Sequence, residues 1–176
     1  MAKSEFEALL NEYADAVIER AQSNLRIKRR VRGKVVNRVA SGNLLNSLTY
    51  KTRIRYNKPT VDFTVKGDAG QYADVIEWGR RPGATPPKAS YIKSWIEEKI
   101  KIGGFKLRNR QGQFIKTTES AIKSAAYAIA KSIGKNGIEG IHYYQDAIND
   151  TWPEYQDQLM DAFVKDVENR LLLNKR

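Results

Sequence analysis

Hydrophobic residues recur at helical spacing at both ends of the chain. Ser4 followed by Glu7 is a capping box, and the apolar stripe behind it predicts a helix over residues 5–25. A wide apolar stripe in the last region predicts a final helix over residues 151–176, with its start marked by Thr151, Trp152 and Pro153. Two long terminal helices are therefore expected to enclose the middle of the chain.

Hydrophobic residues alternate with polar ones after a short predicted helix at residues 41–48. Residues 50–56 place apolar or neutral side chains on one face and basic ones on the other, namely Tyr50, Thr52, Ile54 and Tyr56 against Lys51, Arg53 and Arg55. After a turn containing Pro59, the residues Val61, Phe63 and Val65 alternate in the same way. The pattern predicts a β-hairpin with an apolar face for helices and a basic outer face.

Residues 71–99 are the stretch around which the rest of the chain is expected to be organised. The spacing of Tyr72, Val75 and Ile76 predicts a short helix that buries these three side chains and ends at Gly79. Asp74 and Glu77 fit the exposed side of that helix. A loop rich in proline and glycine follows and is expected to be rigid. Helical spacing then resumes at Ile92, Trp95, Ile96 and Ile100, which predicts a second helix that stops at Gly103 and Gly104.

Residues 103–117 predict a protruding hairpin or loop, and Thr117 or Thr118 caps a helix that ends at Gly134. A glycine-spaced loop then covers residues 134–140. The fold class expected is α+β, with helices packed on a small antiparallel sheet. The 176 residues suit a single domain made of an N-terminal helix (1–25), a basic arm or loop (26–40), an α+β core (41–150) and a C-terminal helix (151–176).

The charge of the chain is large and uneven. A formal net charge of +11 and an isoelectric point near 9.8 favour a polyanion or an acidic protein as partner. Residues 26–38 hold seven basic residues and no acid, which fits a solvated arm or a nucleic-acid contact. Basic residues on the hairpin either solubilise an exposed face or meet DNA phosphates. Because both ends are acidic, complementary contacts between copies of the chain are a further interpretation.

The residue types offer little for catalysis. Cysteine is absent, so disulfides and thiolate metal sites are excluded, and the single histidine, His142, leaves neither a histidine metal cluster nor a well-supported catalytic triad. No phosphate-binding loop or dinucleotide fingerprint is found. The acidic N-terminus does not fit a signal peptide, and no apolar stretch approaches membrane-spanning length. The expectation is a soluble protein that is not an enzyme and holds no metal or cofactor.

Three segments carry a resemblance to a known family. Residues 72–79 match the pattern Tyr-Ala-x-x-(Val/Ile)-Glu-aromatic-Gly, residues 41–48 match small-Gly-x-Leu-x-x-Ser-Leu, and residues 140–147 supply a glycine, an aromatic pair and an alanine. In this order they resemble the tail-completion, or head-to-tail joining, proteins in the neck of tailed bacteriophages. The chain departs from that family at residues 84–87 and by the basic insert after the first helix.

The resemblance implies a structural virion protein, assembled in the bacterial cytoplasm, that forms a ring around the DNA passage. Its partners would be copies of itself, the head connector or adaptor, and tail-tube or tail-terminator proteins, with non-specific contact to packaged DNA and none to a membrane. The interface residues expected are Tyr72, Trp78, Arg80, Arg81 and Trp95, and those expected to face DNA are Arg29, Arg30, Arg32, Arg53 and Arg55. The alternative is a basic nucleic-acid-binding protein that is not part of a virion.

Overall fold

A computed structural model describes residues 4–31, 34–36, 42–55, 58–101, 103, 106–109 and 111–173. The helices are α1 (Glu5–Arg26), α2 (Asn43–Ser47), α3 (Gly70–Trp78), α4 (Ala89–Lys101), α5 (Glu119–Asn136) and α6 (Tyr143–Leu173). The strands are β1 (Arg29–Val31), β2 (Lys34–Val36), β3 (Leu48–Arg55), β4 (Lys58–Val65), β5 (Gly79–Arg80) and β6 (Ile138–Glu139). This mainly helical α+β fold with long terminal helices confirms the predicted class.

The terminal helices α1 and α6 pack against each other and supply most of the larger hydrophobic core. Phe6 meets Phe163 edge-on with ring centroids 5.3 Å apart, and Tyr13 meets Trp152 in the same way at 5.7 Å. Val17 is completely buried. At the start of α1, the Ser4 hydroxyl accepts a hydrogen bond from the Glu7 backbone at 3.1 Å, as a capping residue should.

The hairpin β3–β4 has the predicted alternation of faces. Its register pairs Tyr50 with Phe63 and Lys51 with Asp62, so the apolar and the polar positions occupy opposite faces. Asn11 of α1 accepts a hydrogen bond from the Thr52 hydroxyl at 3.0 Å, which fixes the ribbon against that helix. Tyr56 lies outside the described residues.

The segment interpreted as a basic arm contains a second, shorter ribbon. β1 pairs antiparallel with β2, with Arg29 opposite Val36 and Val31 opposite Lys34. Three valines among the basic residues, Val31, Val35 and Val36, give this segment a β-propensity that its charge obscures in the sequence. The remainder of residues 26–40 outside these strands and α1 is described only at positions 27 and 28.

Helices α4 and α5 form a second, smaller core. Ile96 of α4 is completely buried among Leu107, Ile122 and Ala126, and half-buried isoleucines surround them. Leu107 enters this core from the turn-and-hairpin segment, where the backbone N–H of Ile115 donates to its carbonyl at 3.0 Å and Arg108 pairs with Phe114. Of the predicted hairpin or loop, the described residues form a hairpin closed by this one bridge.

Two predicted helix boundaries are wrong. Helix α5 continues through Gly134 and ends at Gly137, whose φ of 69° suits a glycine C-cap. Helix α6 begins at Tyr143, so Pro153 lies inside it and not at its first turn. In both cases contacts from a distant part of the chain outweigh the local helix-stop or helix-start residue.

Candidate docking site

Two passages of the chain cross at glycines, at residues 76–84 and 134–142. Strand β5 pairs with β6, and the backbone N–H of Ile141 donates to the Ile76 carbonyl at 2.9 Å. A Cβ atom on Gly140 would lie 2.5 Å from the Glu77 carbonyl oxygen, and one on Gly79 would lie 2.4 Å from the Ile138 carbonyl oxygen. Only residues without a side chain permit backbones to approach this closely.

The glycine at position 134 serves the same crossing. Its missing side chain makes room for the Pro86 ring, which a Cβ would approach to 2.6 Å, and its carbonyl accepts a hydrogen bond from the Gly83 backbone at 2.8 Å. Gly134 is therefore required inside α5 for packing and does not end the helix. The proline-rich loop is held against the last turns of α5 by these contacts.

Glu77 is the buried centre of the site. Its side chain is only 5% exposed, and its two carboxylate oxygens accept the backbone N–H groups of Tyr144 and Gln145, both at 2.9 Å. These are among the first N–H groups of α6, which have no partner within the helix, and the helix dipole is positive there. A carboxylate from α3 thus caps the start of α6.

This cap corrects the interpretation of α3. The buried residues of α3 are Ala73 and Glu77, whereas Tyr72 is 41% exposed and Val75 and Ile76 are only partly buried. Asp74 is exposed as expected, but Glu77 is not. Hydrophobic spacing assigns the wrong face because the helix turns its charged residue inward to meet the unpaired N–H groups of α6.

The tyrosines at the start of α6 fix it to the rest of the larger core. Tyr143 is 1% exposed, and its carbonyl accepts a hydrogen bond from the buried Asn24 side chain at 3.2 Å. Burial, with a smaller contribution from the negative charge of Glu77, raises the pKa of Tyr143 well above its usual value. The Tyr144 hydroxyl donates to the carbonyls of Thr64 and Thr49, at 3.1 and 3.5 Å, and burial chiefly raises its pKa to about 12.

The three segments that resemble the phage family come together here. Residues 72–79 supply Glu77 and Gly79, and residues 140–147 supply the helix start that Glu77 caps. Burial, with a smaller contribution from the negative charge of Glu98, raises the pKa of Tyr72, and a backbone hydrogen bond with Leu44, from the third segment, lowers it by less. Ala73, Leu44, Leu45, Tyr143 and Ala147 all belong to the larger hydrophobic core.

The outer side of the site presents an aromatic surface beside an open groove. Trp78 is 61% exposed and meets the His142 ring edge-on at 5.6 Å. His142 adopts a φ of 50°, which is uncommon for a residue other than glycine, and the Glu77 carbonyl accepts its N–H at 3.0 Å. The groove measures about 790 Å³ and lies between β4, α3 and α6, where Phe63, Trp78 and Tyr144 are among its lining residues.

The residues expected at an interface lie in different environments. Tyr72, Trp78 and Arg81 are exposed on α3 and the following loop. Arg80 is partly buried, and its guanidinium donates to the Thr85 carbonyl, which holds the loop. Its Nε is buried and has no acceptor among the described residues. Trp95 is 37% exposed on α4, with the Lys99 ammonium 6.0 Å from its ring centroid. The assignment of these five residues to an interface stays a prediction.

The arginines expected to face DNA are only partly described. Arg53 forms an ion pair with Asp62 on the polar face of the hairpin. Arg29 and Arg30 lie in β1 and Arg55 ends β3, but their side chains are outside what the structure describes. Arg32 lies outside the described residues altogether. The placement of these side chains toward DNA stays a prediction.

No protein-family model, curated protein or solved structure matches this chain. Across the described part of the chain, no cluster of three or more histidine, aspartate or glutamate side chains is arranged to hold a metal ion. The helices described here include none that is long and apolar enough to span a membrane.

Sequence reasoning missed the function of Glu77 and of the paired glycines. One signal was available, since Ala73 and Glu77 are four residues apart and so share a helix face, where a small residue permits close packing. The partner of that face, the start of α6, lies 67 residues further along the chain, so the spacing of residues within α3 could not predict it.

Proposed function

We propose that this chain is a structural protein of the neck of tailed bacteriophages. In this function it joins the tail to the head connector as a ring oligomer around the DNA passage. The chain acts by shape and by docking onto copies of itself and onto neck proteins. It is assembled in the host cytoplasm, resides in the virion and has no reaction to perform.

One observation carries the proposal. Two of the three segments that resemble the joining proteins, residues 72–79 and 140–147, meet around Glu77 and the crossing at Gly79 and Gly140, and the third, residues 41–48, packs into the same hydrophobic core. If the resemblance were a chance match of short patterns, there would be no reason for two of the segments to build one site and for the third to share its core. Trp78 and the adjacent groove give that site an exposed aromatic surface of the kind that anchors protein interfaces.

The proposal is tested by the assembly of the purified full chain. Analytical ultracentrifugation and negative-stain electron microscopy should show closed rings, either of the chain alone or after mixing with head connectors. Replacing Trp78 by alanine should weaken docking onto head connectors at least about tenfold, because aromatic anchors dominate interface energies. Ile27→Ala is the matched control, since Ile27 is also exposed but lies at the end of α1. A Trp78→Ala chain that docks onto head connectors like the wild type would contradict this surface assignment.

The alternative is a basic nucleic-acid-binding protein outside any virion. The excess of lysine and arginine around α4 and α5, described below, favours it. A phosphate-binding protein should lose duplex DNA steeply as salt rises, whereas a neck ring should bind short duplexes weakly. Filter binding across a salt series separates the two, and tight sequence-specific binding by a stable monomer would refute the neck function. Portal, capsid and tail-tube genes beside this one would support it.

A further inference from the structure

The two cores of the chain carry net charges of opposite sign. Residues 80–137, here called the basic lobe, carry thirteen lysines and arginines against three glutamates, a net charge of +10. Helices α1 and α6 together carry twelve carboxylates against four basic residues, a net charge of −8. The overall +11 therefore hides two strongly charged parts of opposite sign.

The outer face of α6 combines apolar and acidic side chains. Met160, Val164 and Leu171 are 63%, 49% and 61% exposed, at spacings of four and seven residues that align them along one side of the helix. Asp157 and Asp161 are exposed beside them. The core needs none of these residues, because Leu159, Ala162 and Phe163 already cover it.

The outer face of α5 in the basic lobe has the matching composition. Lys123, Tyr127, Lys131 and Lys135 recur every four residues and are all exposed, with Tyr127 at 65%. Lys123 pairs with Glu119 of the same helix. The ion pairs seen for the lobe stay within the lobe, and those seen for α1 and α6, Arg20–Asp150 and Lys165–Glu5, stay within that helix pair.

We propose that the outer face of α5 in one copy of the chain docks onto the outer face of α6 in the next copy. Each face has an exposed apolar centre with charges mainly of one sign beside it, basic on α5 and acidic on α6. The contact joins two different surfaces, so it repeats from copy to copy and closes into a ring when the rotation between copies permits. The inference rests on the proposed function, for which it names the subunit interface. Attraction between exposed charges weakens with salt, so this self-association should do so too.

Charge reversal and its compensation test the interface in the full-length protein. The lobe variant carries Lys131→Glu with Lys135→Glu, and the acidic variant carries Asp157→Lys with Asp161→Lys. Each should weaken self-association about tenfold or more, measured by sedimentation equilibrium at low salt, because like charges then face each other. The two variants mixed together should associate to within about threefold of the wild type. Lys58→Glu with Lys66→Glu, at the start of β4 and just after its end, makes the same change in net charge as the lobe variant and should leave association unchanged.

The outcomes separate this inference from the proposed function. Rings that persist in both reversal variants would overturn the interface and leave the neck function standing. If the lobe variant instead loses duplex DNA while the acidic variant changes nothing, the lobe serves nucleic acid and the interface is wrong. A wild-type chain that stays monomeric, alone and with head connectors, would refute both. Thermal unfolding monitored by circular dichroism shows whether each variant is folded before it is compared.

Discussion

Replacement of Glu77 by glutamine tests whether a single buried carboxylate holds the start of α6. The substitution keeps the size and shape of the side chain and removes its charge. One amide oxygen remains to accept the N–H of Tyr144 or Gln145, while the amide NH₂ faces the other N–H and leaves it unpaired. The variant therefore separates the charge from the packing of the residue.

The expected loss follows from the two hydrogen bonds. A hydrogen bond to a charged group contributes about 1.5–3 kcal/mol, and a charge near a partly buried helix end up to about 2 kcal/mol. Because these contributions overlap, Glu77→Gln should lower the free energy of unfolding by about 2–4 kcal/mol, and Glu77→Ala by somewhat more. For a chain of this size that corresponds to a fall in Tm of roughly 5–12 °C.

Urea unfolding monitored by circular dichroism measures the loss, and hydrogen exchange locates it. The amides of Tyr144 and Gln145 should exchange faster in the variant, ahead of those in the middle of α6. Asp74→Asn is the matched control, because it removes the same charge from the exposed side of the same helix and should change stability by less than about 0.5 kcal/mol. Equal destabilisation by both variants, or unchanged exchange at the two amides, would refute the capping function.

Three further predictions concern the same region. Gly140→Ala should cost about 2–4 kcal/mol in urea unfolding because its Cβ would meet backbone atoms, whereas Gly70→Ala, with its nearest contact at 3.4 Å, should cost nothing or stabilise slightly. Stability should fall as pH rises from about 10 through about 12, because the unfolded chain releases the phenol proton of Tyr144 at a lower pH than the folded chain does. An alkaline titration that follows tyrosine absorbance and circular dichroism together measures this loss. Pro153→Ala should raise the free energy of unfolding by about 1–2 kcal/mol by restoring a hydrogen bond inside α6, with Glu154→Ala within about 0.5 kcal/mol as control.

The elements that follow from local pattern were predictable from the sequence. Helix α1 begins and ends within a residue of its expected bounds, because its cap and its apolar stripe are both local. The faces of β3 and β4 follow from alternation alone. Helix α4 ends as expected near Gly103, whose N–H donates to the Ile100 carbonyl at 3.0 Å.

The boundaries that failed depend on contacts between distant residues. Glycine commonly ends a helix, yet Gly134 lies within α5. A glycine is needed there because Pro86 occupies the space that a side chain would fill. Proline is common in the first turn of a helix, yet Pro153 lies inside α6. The helix begins ten residues earlier, at Tyr143, where Glu77 accepts its first N–H groups. Local propensity is a weak signal when tertiary contacts satisfy the same backbone groups.

The crossing also determines how the two charged parts of the molecule are connected. The chain passes between the acidic helix pair and the basic lobe at residues 79–84 and again at residues 134–141, and backbone hydrogen bonds join the two passages. Because Glu77 fixes the start of α6 at this same point, the acidic face and the lobe share one structural anchor. A variant at Glu77 should therefore weaken self-association only to the extent that it unfolds the start of α6, whereas charge reversal on α5 should weaken it in a fully folded chain. A residue that only anchors the fold, such as Glu77, should therefore lose association in proportion to its loss of stability. A residue of the interface should lose association with no loss of stability.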